Sequence, residues 1–366
     1  MGSRCESDSY KPRNWAQNYR KTMATVPAAR PPLAALPEAN TWQKDMQTAF
    51  RRLDPLLRYL ELDPAGAPEA LAADPDFPIL VPLAFAALMG KGDWHDPLLA
   101  QVLPLARETL PTAGFTSDAV GDLPAQVVPG LLHKYASRAL LMVSHQCAVH
   151  CRYCFRREFP YGDLPRGKED WDRAWEYLAT AEGVDEILFS GGDPLFLDNR
   201  RLEKILASAG ALPAIRTLRF HTRLPVVLPS RIEPGLLELL RSAAADRSIV
   251  MVIHANHARE LGAECTDALA ALRNAGALLL NQAVLLKGIN DDAETLADLS
   301  RALIARGVLP YYLHQLDKVQ GTAHFETTEA RGNELIAELR GKLPGYAVPR
   351  YVREIAGAPH KTPLSA

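Results

Sequence analysis

Short apolar runs alternate with longer stretches of helical periodicity over the second half of the chain, and this alternation limits the possible folds more than any other feature. The runs predict strands at residues 139–144, 186–190, 217–221, 249–254, 277–286 and 309–315. The stretches between them predict helices at about 168–182, 199–210, 233–245, 258–275 and 292–306. Short buried strands that alternate with amphipathic helices indicate βα units and a parallel sheet.

Two α/β architectures fit this pattern. Six strands in about 180 residues are too few for a complete eight-unit barrel, which typically takes about 250 residues. We therefore predict an open, partial (β/α)6 barrel over residues 136–330. A flat, doubly wound sheet is the alternative.

The segments on either side of the barrel have other patterns. Residues 1–40 are polar and then rich in proline, and they predict a mobile N-terminal tail. Residues 41–135 predict a helical N-terminal region, and residues 331–366 a short C-terminal segment.

Charge and hydrophobicity narrow the choice of partner and compartment. Lys and Arg number 41 against 43 Asp and Glu, a net charge of −2 in 366 residues. No overall field therefore attracts nucleic acid or an anionic membrane. The longest apolar run, residues 77–89, has 13 residues with two prolines, which is too short to span a bilayer. The first residues lack the apolar stretch of a signal peptide. We expect a cytoplasmic protein that binds neither nucleic acid nor membranes.

The unusual polar residues of the chain cluster just after the predicted strands. In both candidate folds, catalytic groups lie beyond the carboxyl ends of the strands. Three cysteines follow the first strand, and Gly191-Gly192-Asp193-Pro194 follows the second. The later strands end at His221, Thr222 and Arg223, at His254, Asn256 and His257, around Gln282, and at residues 314–317. The pattern predicts one site at this edge of the sheet.

Three of the five cysteines, Cys147, Cys151 and Cys154, fall within eight residues. An odd number of cysteines in a large chain without a secretion signal argues against a disulfide framework. Three thiolates in one loop can bind a soft metal centre. A Cys₃His zinc site completed by His145 or His150 is one interpretation, although zinc loops usually draw on a second, distant ligand pair. A [4Fe–4S] cluster is the other, and it would leave one iron without a protein ligand.

The spacing Cys-x₃-Cys-x-aromatic-Cys, in which Tyr153 is the aromatic residue, resembles the cluster motif of the radical S-adenosylmethionine (AdoMet) enzymes. The resemblance implies a partial radical-AdoMet barrel in which the open iron binds AdoMet. One electron from the cluster then gives methionine and a 5′-deoxyadenosyl radical. The positions that match the family's AdoMet-binding elements are Ser190, Gly191, Gly192 and Asp193 for the methionine part, and His254 and Gln282 for the nucleoside.

Longer segments resemble the lysine 2,3-aminomutase family within these enzymes. They are LLHKY at 131–135, CRYCFRREFPYG at 151–162, SGGDPLF at 190–196, HTRLPVVLPSRI at 221–232, NQAVLLKGIND at 281–291 and REIAGAPHKTPL at 353–364. The likeness is strongest to the short branch that makes (R)-β-lysine for modification of elongation factor P. Members of that branch end soon after the lysine that carries pyridoxal 5′-phosphate (PLP), and this chain ends five residues after Lys361.

The resemblance also implies which residues meet PLP and the substrate. Lys361 forms the Schiff base with PLP, although a lysine so near the end of a chain would otherwise indicate a solvated tail. Arg156 binds the substrate carboxylate. The remaining assignments are Lys134 and Arg138 for the PLP phosphate, and Asp317 and Glu354 for the ε-ammonium of lysine. Two acids at that end of the pocket favour lysine over glutamate, because a glutamate pocket would need a cation.

The implied activity is conversion of L-lysine to (R)-β-lysine by an isomerase that uses a [4Fe–4S] cluster, AdoMet and PLP. The implied partners are lysine, elongation factor P with its lysyl ligase, and a reductant such as flavodoxin or ferredoxin. An aminomutase that makes β-lysine as a free metabolite is the first alternative, and a glutamate-specific member is the next. A non-catalytic iron–sulfur or zinc protein is the alternative from a different class.

Overall fold

A single sheet organises the structure, a computed structural model that describes residues 37, 38, 40–72, 75–165 and 167–365. Its strands lie side by side in the order of the chain. They are β1 (Gln126–Val128), β2 (Leu131–Tyr135), β3 (Arg138–Ser144), β4 (Glu186–Gly191), β5 (Thr217–Thr222), β6 (Ser248–His254), β7 (Ala277–Val284), β8 (Leu309–His314), β9 (Arg350–Arg353) and β10 (Thr362–Pro363). Strands β3 to β9 are parallel, whereas β1, β2 and β10 join the two edges in antiparallel pairs.

This strand order decides between the two predicted architectures. A doubly wound sheet reverses its strand order at a switch point, and no reversal occurs between β1 and β10. Right-handed crossovers that always advance in one direction place the helices on one face of the sheet. The other face is therefore the inside of an open, partial barrel, as predicted. Strand β9 adds a seventh parallel strand that the sequence analysis does not predict, since its four residues begin and end with arginine.

The five predicted crossover helices are all present, with ends that differ by a few residues from the prediction. The α-helices of the described chain are α1 (Thr41–Gln47), α2 (Leu53–Tyr59), α3 (Leu83–Ala86), α4 (Lys168–Thr180), α5 (Asn199–Gly210), α6 (Leu224–Val227), α7 (Pro234–Ala244), α8 (Ala263–Asn274), α9 (Ala293–Ala305) and α10 (Glu329–Lys342). Local signals fix their starts: the Asp198 side chain accepts from Arg201 N before α5, and Asp292 accepts from Thr295 N before α9. Leucines on their inner faces complete the core with the strands.

The region at 41–135, predicted to be helical, differs from that prediction in the structure. It holds three short helices separated by irregular segments, and residues 126–135 form the β1–β2 hairpin. Prolines such as Pro64 and Pro78 limit helix length here, because proline cannot donate the internal helical hydrogen bond. Gly130 turns the hairpin with a φ of 75°. A Cβ there would lie 2.4 Å from Pro165 Cδ, so only glycine fits.

The described residues all belong to one compact unit, Leu36–Ala366, which includes the three segments predicted at 41–135, 136–330 and 331–366. The mobile tail predicted at 1–40 lies outside the described residues except at 37, 38 and 40. Across the described part of the chain, no helix has the length and apolar character needed to cross a membrane.

Candidate active site

A cavity of about 250 Å³ runs along the inside of the sheet, from the starts of β3 and β8 to the loops beyond the strands' carboxyl ends. Every residue that the sequence analysis assigns to a cofactor or substrate lines this one cavity. These residues are Lys134, Arg138, Cys147, Cys151, Cys154, Arg156, Ser190, Gly191, Gly192, Asp193, His254, Gln282, Asp317, Glu354 and Lys361. Segments up to 227 residues apart in the chain therefore contribute to one site, since Lys134 and Lys361 both line it.

The loop after β3 presents its three cysteines to the cavity because the residues between them are attached elsewhere. Arg152 is buried, and its Nε donates to both carboxylate oxygens of Glu108 at 3.0 Å. The Nδ1 atom of His150 lies 2.8 Å from the carbonyl oxygen of Pro78, and His145 is exposed. These placements disfavour a zinc site completed by either histidine. The thiols of the loop face the cavity, where they can meet a metal centre.

Burial disfavours the thiolate forms of Cys147 and Cys154. Burial, and then the neighbouring Cys154 thiol, raise the pKa of Cys147 well above its ordinary value. Burial and the neighbouring Cys151 raise the pKa of Cys154 to about 11. Among the described residues, no three His, Cys, Asp or Glu side chains surround a single metal-ion position. Three thiols on one cavity wall form a donor set that fits an iron–sulfur cluster, in which the cysteines bind different irons.

Gly191, the last residue of β4, and Gly192, which follows it, allow the ends of β4 and β3 to touch. Gly191 has a φ of 116°, and a Cβ there would lie 2.3 Å from the Ser144 carbonyl oxygen. A Cβ at Gly192 would lie 2.3 Å from the Gln146 carbonyl oxygen. Instead, Gly192 N donates to Ser144 O at 2.7 Å. The glycines therefore hold the base of the cysteine loop, in addition to any approach they allow to a cofactor.

Asp193 has a different set of contacts from the one that the resemblance suggests. Its Oδ1 accepts hydrogen bonds from Leu195 N at 3.0 Å and from Thr222 Oγ1 at 2.7 Å. Its Oδ2 accepts from Arg223 N at 2.7 Å. Burial raises the pKa of Asp193 to about 6, against the opposing effect of these hydrogen bonds. Asp193 lines the cavity, yet both of its oxygens join the ends of β4 and β5.

A series of alternating charges begins at the C-terminal segment. The Lys361 ammonium forms an ion pair with Glu354. The other oxygen of Glu354 lies 3.0 Å from Lys134 Nζ, which also lies 2.6 Å from Asp122 Oδ1. Burial alone would raise the pKa of Glu354, but Lys361 and Lys134 hold it well below its ordinary value. Lys134 thus has carboxylate partners here, whereas the resemblance assigns it to a phosphate.

The same series continues through Asp122 to the substrate-binding candidate Arg156. Arg156 Nε donates to Asp122 Oδ2 at 2.7 Å, and Nη1 donates to Ser190 Oγ at 3.0 Å. Burial would lower the pKa of Arg156, but Asp122 raises it, so the guanidinium stays charged. Sequence reasoning does not identify Asp122, because it lies in a loop without a motif and acquires its partners only through the fold.

Two other ionisable groups in the cavity, Asp317 and Arg138, have no ion-pair partner among the described residues. Within the described residues, the Asp317 carboxylate accepts no hydrogen bond and forms no ion pair, and burial raises its pKa to about 7. Lys361 opposes that shift. Arg138 lies over the Tyr135 ring, 4.5 Å from its centroid, and has no carboxylate partner in the described ranges. Asp317 and Arg138 are therefore available for a cation and an anion, respectively.

The remaining polar groups lie at the ends of β5, β6 and β7. His254 Nε2 lies 3.0 Å from the Tyr153 hydroxyl, and the two rings stack. The Gln282 amide has no side-chain hydrogen bond in the part of the chain that the structure describes. His221 Nε2 is buried without a partner there, and burial lowers the pKa of His221 well below its ordinary value. His221 appears in the sequence as a strand-end residue, but no motif there assigns it a role.

Comparison with known proteins first identifies the superfamily that the chain resembles. Residues 141–299, from β3 into α9, match the sequence profile of the Radical SAM superfamily. A radical SAM domain holds a [4Fe–4S] cluster and AdoMet.

Sequence identity to individual known proteins then identifies the family. The L-lysine 2,3-aminomutase of Escherichia coli is 45% identical over 332 residues, which cover 90% of this chain and 95% of that protein. The L-lysine 2,3-aminomutase of Haemophilus influenzae is 41% identical, with 89% and 96% covered. That of Clostridium subterminale is 32% identical, with 89% and 78% covered. The chain belongs to the L-lysine 2,3-aminomutase family of isomerases.

Proposed function

We propose that the chain converts L-lysine to (R)-β-lysine, with the cluster, AdoMet and PLP bound together in the cavity described above. The observation that carries the proposal is the contact of the Lys361 ammonium with Glu354, near an Asp317 carboxylate that has no ion-pair partner among the described residues. A primary alkylammonium is the group that ends the side chain of free lysine. The acids that meet it lie in the same cavity as the three cysteines.

In this proposal, Cys147, Cys151 and Cys154 each bind one iron of the cluster. Held there, the cluster and AdoMet would supply a radical able to remove the unactivated C3 hydrogen of the substrate, which no side-chain acid or base can abstract. The backbone of Gly191 and Gly192 lines the cavity next to the cysteine loop and would meet the methionine part of AdoMet. The amide of Gln282 and the ring of His254 line the cavity where the nucleoside would lie.

Lys361 would hold PLP, which supplies an imine π system that can share an unpaired electron with the migrating nitrogen. The chemistry of the lining residues fits that group. Arg138 offers a guanidinium without a carboxylate partner in the described chain, and it is the main candidate for the phosphate. The buried Nε2 of His221, which has no hydrogen-bond partner in the described part of the chain, offers a further polar contact. Lys134 would contribute mainly by holding Glu354 and Asp122 in place.

Arg156 would bind the substrate carboxylate through its outer nitrogen atoms. Its Nε and one bond of Nη1 are used by Asp122 and Ser190, so the end of the guanidinium remains available. Asp317 and Glu354 would bind the ε-ammonium at the other end of the substrate. Glu354 already pairs with the ammonium of Lys361, so the substrate ammonium would compete for the same carboxylate. A substrate that lacks this ammonium would leave a buried acid pair without a cation, which is unfavourable.

The decisive experiment is anaerobic incubation of the reconstituted enzyme with L-lysine, AdoMet and a reductant, followed by identification of the product. We expect (R)-β-lysine, with no product from glutamate.

Two further experiments test the cofactor sites. Borohydride treatment of the PLP-loaded protein should fix the cofactor to the peptide that contains Lys361. Labelling of a different lysine would contradict the proposed PLP site. The C147A, C151A and C154A variants should lose cluster absorbance and turnover; an active, zinc-containing variant would contradict the cluster assignment.

We further propose that the β-lysine is used to modify elongation factor P, with a lysyl ligase as partner and flavodoxin or ferredoxin as reductant. The support is the sequence likeness to the short branch of the family. The extent of the match to the Escherichia coli relative agrees with it. Deletion of the gene should leave elongation factor P without β-lysine. Loss of free β-lysine with normal elongation factor P would favour the metabolite-forming alternative.

A further inference from the structure

Arg223, which follows β5, contacts one of the three cysteines and is not used in the proposed reaction. Its Nη1 donates to Cys151 Sγ at 2.7 Å. The guanidinium lies over the rings of Phe85 and Tyr153, 5.3 and 5.6 Å from their centroids. The residue is buried, with 7% of its surface exposed. A buried cation therefore points a donor at a sulfur atom on the cavity wall.

A set of buried polar groups holds the guanidinium in this position from the side away from the sulfur. Arg223 Nη2 donates to Gln101 Oε1 at 2.7 Å and to Glu260 Oε2 at 2.8 Å. The other oxygen of Glu260 accepts from the backbone N–H of Asn256 at 2.8 Å and of His257 at 3.0 Å. Gln101, Glu260 and Asn256 are fully buried. Gln101 belongs to the N-terminal region, and Asn256 and Glu260 follow β6. Two separate segments of the chain therefore orient one arginine.

We propose that Arg223 is a positioning residue of the iron–sulfur site, which donates a hydrogen bond to the Cys151 sulfur and raises the reduction potential of the cluster. This inference rests on the proposed function, in which Cys151 is an iron ligand. Reduction adds one negative charge to the cluster. A fixed cation and a donor to sulfur stabilise the reduced form more than the oxidised form. Gln101 and Glu260 keep the donor in place, so it is already oriented toward the sulfur before an electron arrives.

An ion pair with a purely structural role would give a different result from the one proposed. The Arg223–Glu260 pair alone would affect stability, but the potential of the cluster would not depend on it. The test is a redox titration of the reconstituted enzyme without AdoMet, monitored by the electron paramagnetic resonance signal of the reduced cluster. R223M removes the charge and the donor, R223Q removes the charge, and R223K keeps the charge but cannot reach both Cys151 and Glu260.

R231Q is a matched control, because Arg231 is fully buried but donates to the backbone oxygens of Leu195 and Leu197. We expect a more negative midpoint potential in R223M and R223Q, a smaller shift in the same direction in R223K, and the wild-type value in R231Q. If the neutral variants fail to fold, R223K decides the question. Wild-type potentials in the Arg223 variants would overturn the inference. A wild-type protein that binds no [4Fe–4S] cluster would instead refute the proposed function.

Discussion

At the scale of single residues, the ionisation of Asp317 should make lysine binding depend on pH. Burial raises the pKa of its carboxyl to about 7, so the group is largely neutral below that pH and charged above it. Only the carboxylate attracts the ε-ammonium of lysine. We therefore expect the KM for lysine to rise as the pH falls through about 7. A series of steady-state measurements at different pH values checks this, and D317N should remove that part of the profile. A D317N enzyme with the wild-type pH dependence would assign the titration to another group.

Removal of the Asp317 carboxylate tests its role more directly. In D317A, the substrate ammonium loses one of two buried acids, and kcat/KM for lysine should fall by an amount equivalent to roughly 2–5 kcal/mol. Binding of PLP and reductive cleavage of AdoMet should survive, because Lys361 and Glu354 are charged neighbours of Asp317, and among the described residues no hydrogen bond or ion pair joins Asp317 to the cysteine loop. Loss of PLP or of the cluster in D317A, with normal lysine kinetics in the loaded fraction, would contradict its assignment to the substrate.

At the scale of elements, the turn after β4 sets the position of the cysteine loop. A Cβ at Gly192 would meet the Gln146 backbone at 2.3 Å, one residue before Cys147. G192A should therefore displace the loop and lower the iron content of the reconstituted protein. G210A is a suitable control, since Gly210 ends α5 and a Cβ there meets no atom within 4 Å. Iron content and visible absorbance measure the difference. Equal iron in both variants would show that the loop can move without loss of the cluster.

The same scale shows what can be predicted from the sequence and what cannot. Strands β3 to β8 and helices α4, α5, α7, α8 and α9 are predictable, because buried runs and helical periodicity are local signals. The β9 strand and the β1–β2 hairpin are not, since their few residues become strands only by pairing with neighbours. The cysteines and Lys361 can be identified from sequence motifs. The roles of Asp122 and Arg223 depend on partners more than 30 residues away in the chain.

At the scale of the whole molecule, the charged site connects the two sides of the open sheet. Lys134 lies on β2 near one edge, and Glu354 follows β9 near the other, yet their side chains are 3.0 Å apart. Backbone segments meet beside them, because a Cβ at Gly121 would lie 2.9 Å from Ala356 Cβ. An ion-pair network therefore spans the gap between the two sides of the open barrel, where a complete barrel would have paired strands. The groups proposed to bind the substrate thus also join the edges of the sheet.

This arrangement predicts that Glu354 contributes to folding as well as to binding. In E354Q, the ammonium groups of Lys134 and Lys361 lose a mostly buried partner, and the free energy of unfolding of the cofactor-free protein should fall by about 3–5 kcal/mol. Urea denaturation at neutral pH measures it. E294Q is the control, because Glu294 pairs with Lys342 on the surface, where the loss should be small. K134M combined with E354Q should recover part of the stability, since it removes a cation that has lost one of its two carboxylate partners and keeps only Asp122. If E354Q and E294Q unfold at the same urea concentration as the wild type, the edges of the barrel are held by packing alone.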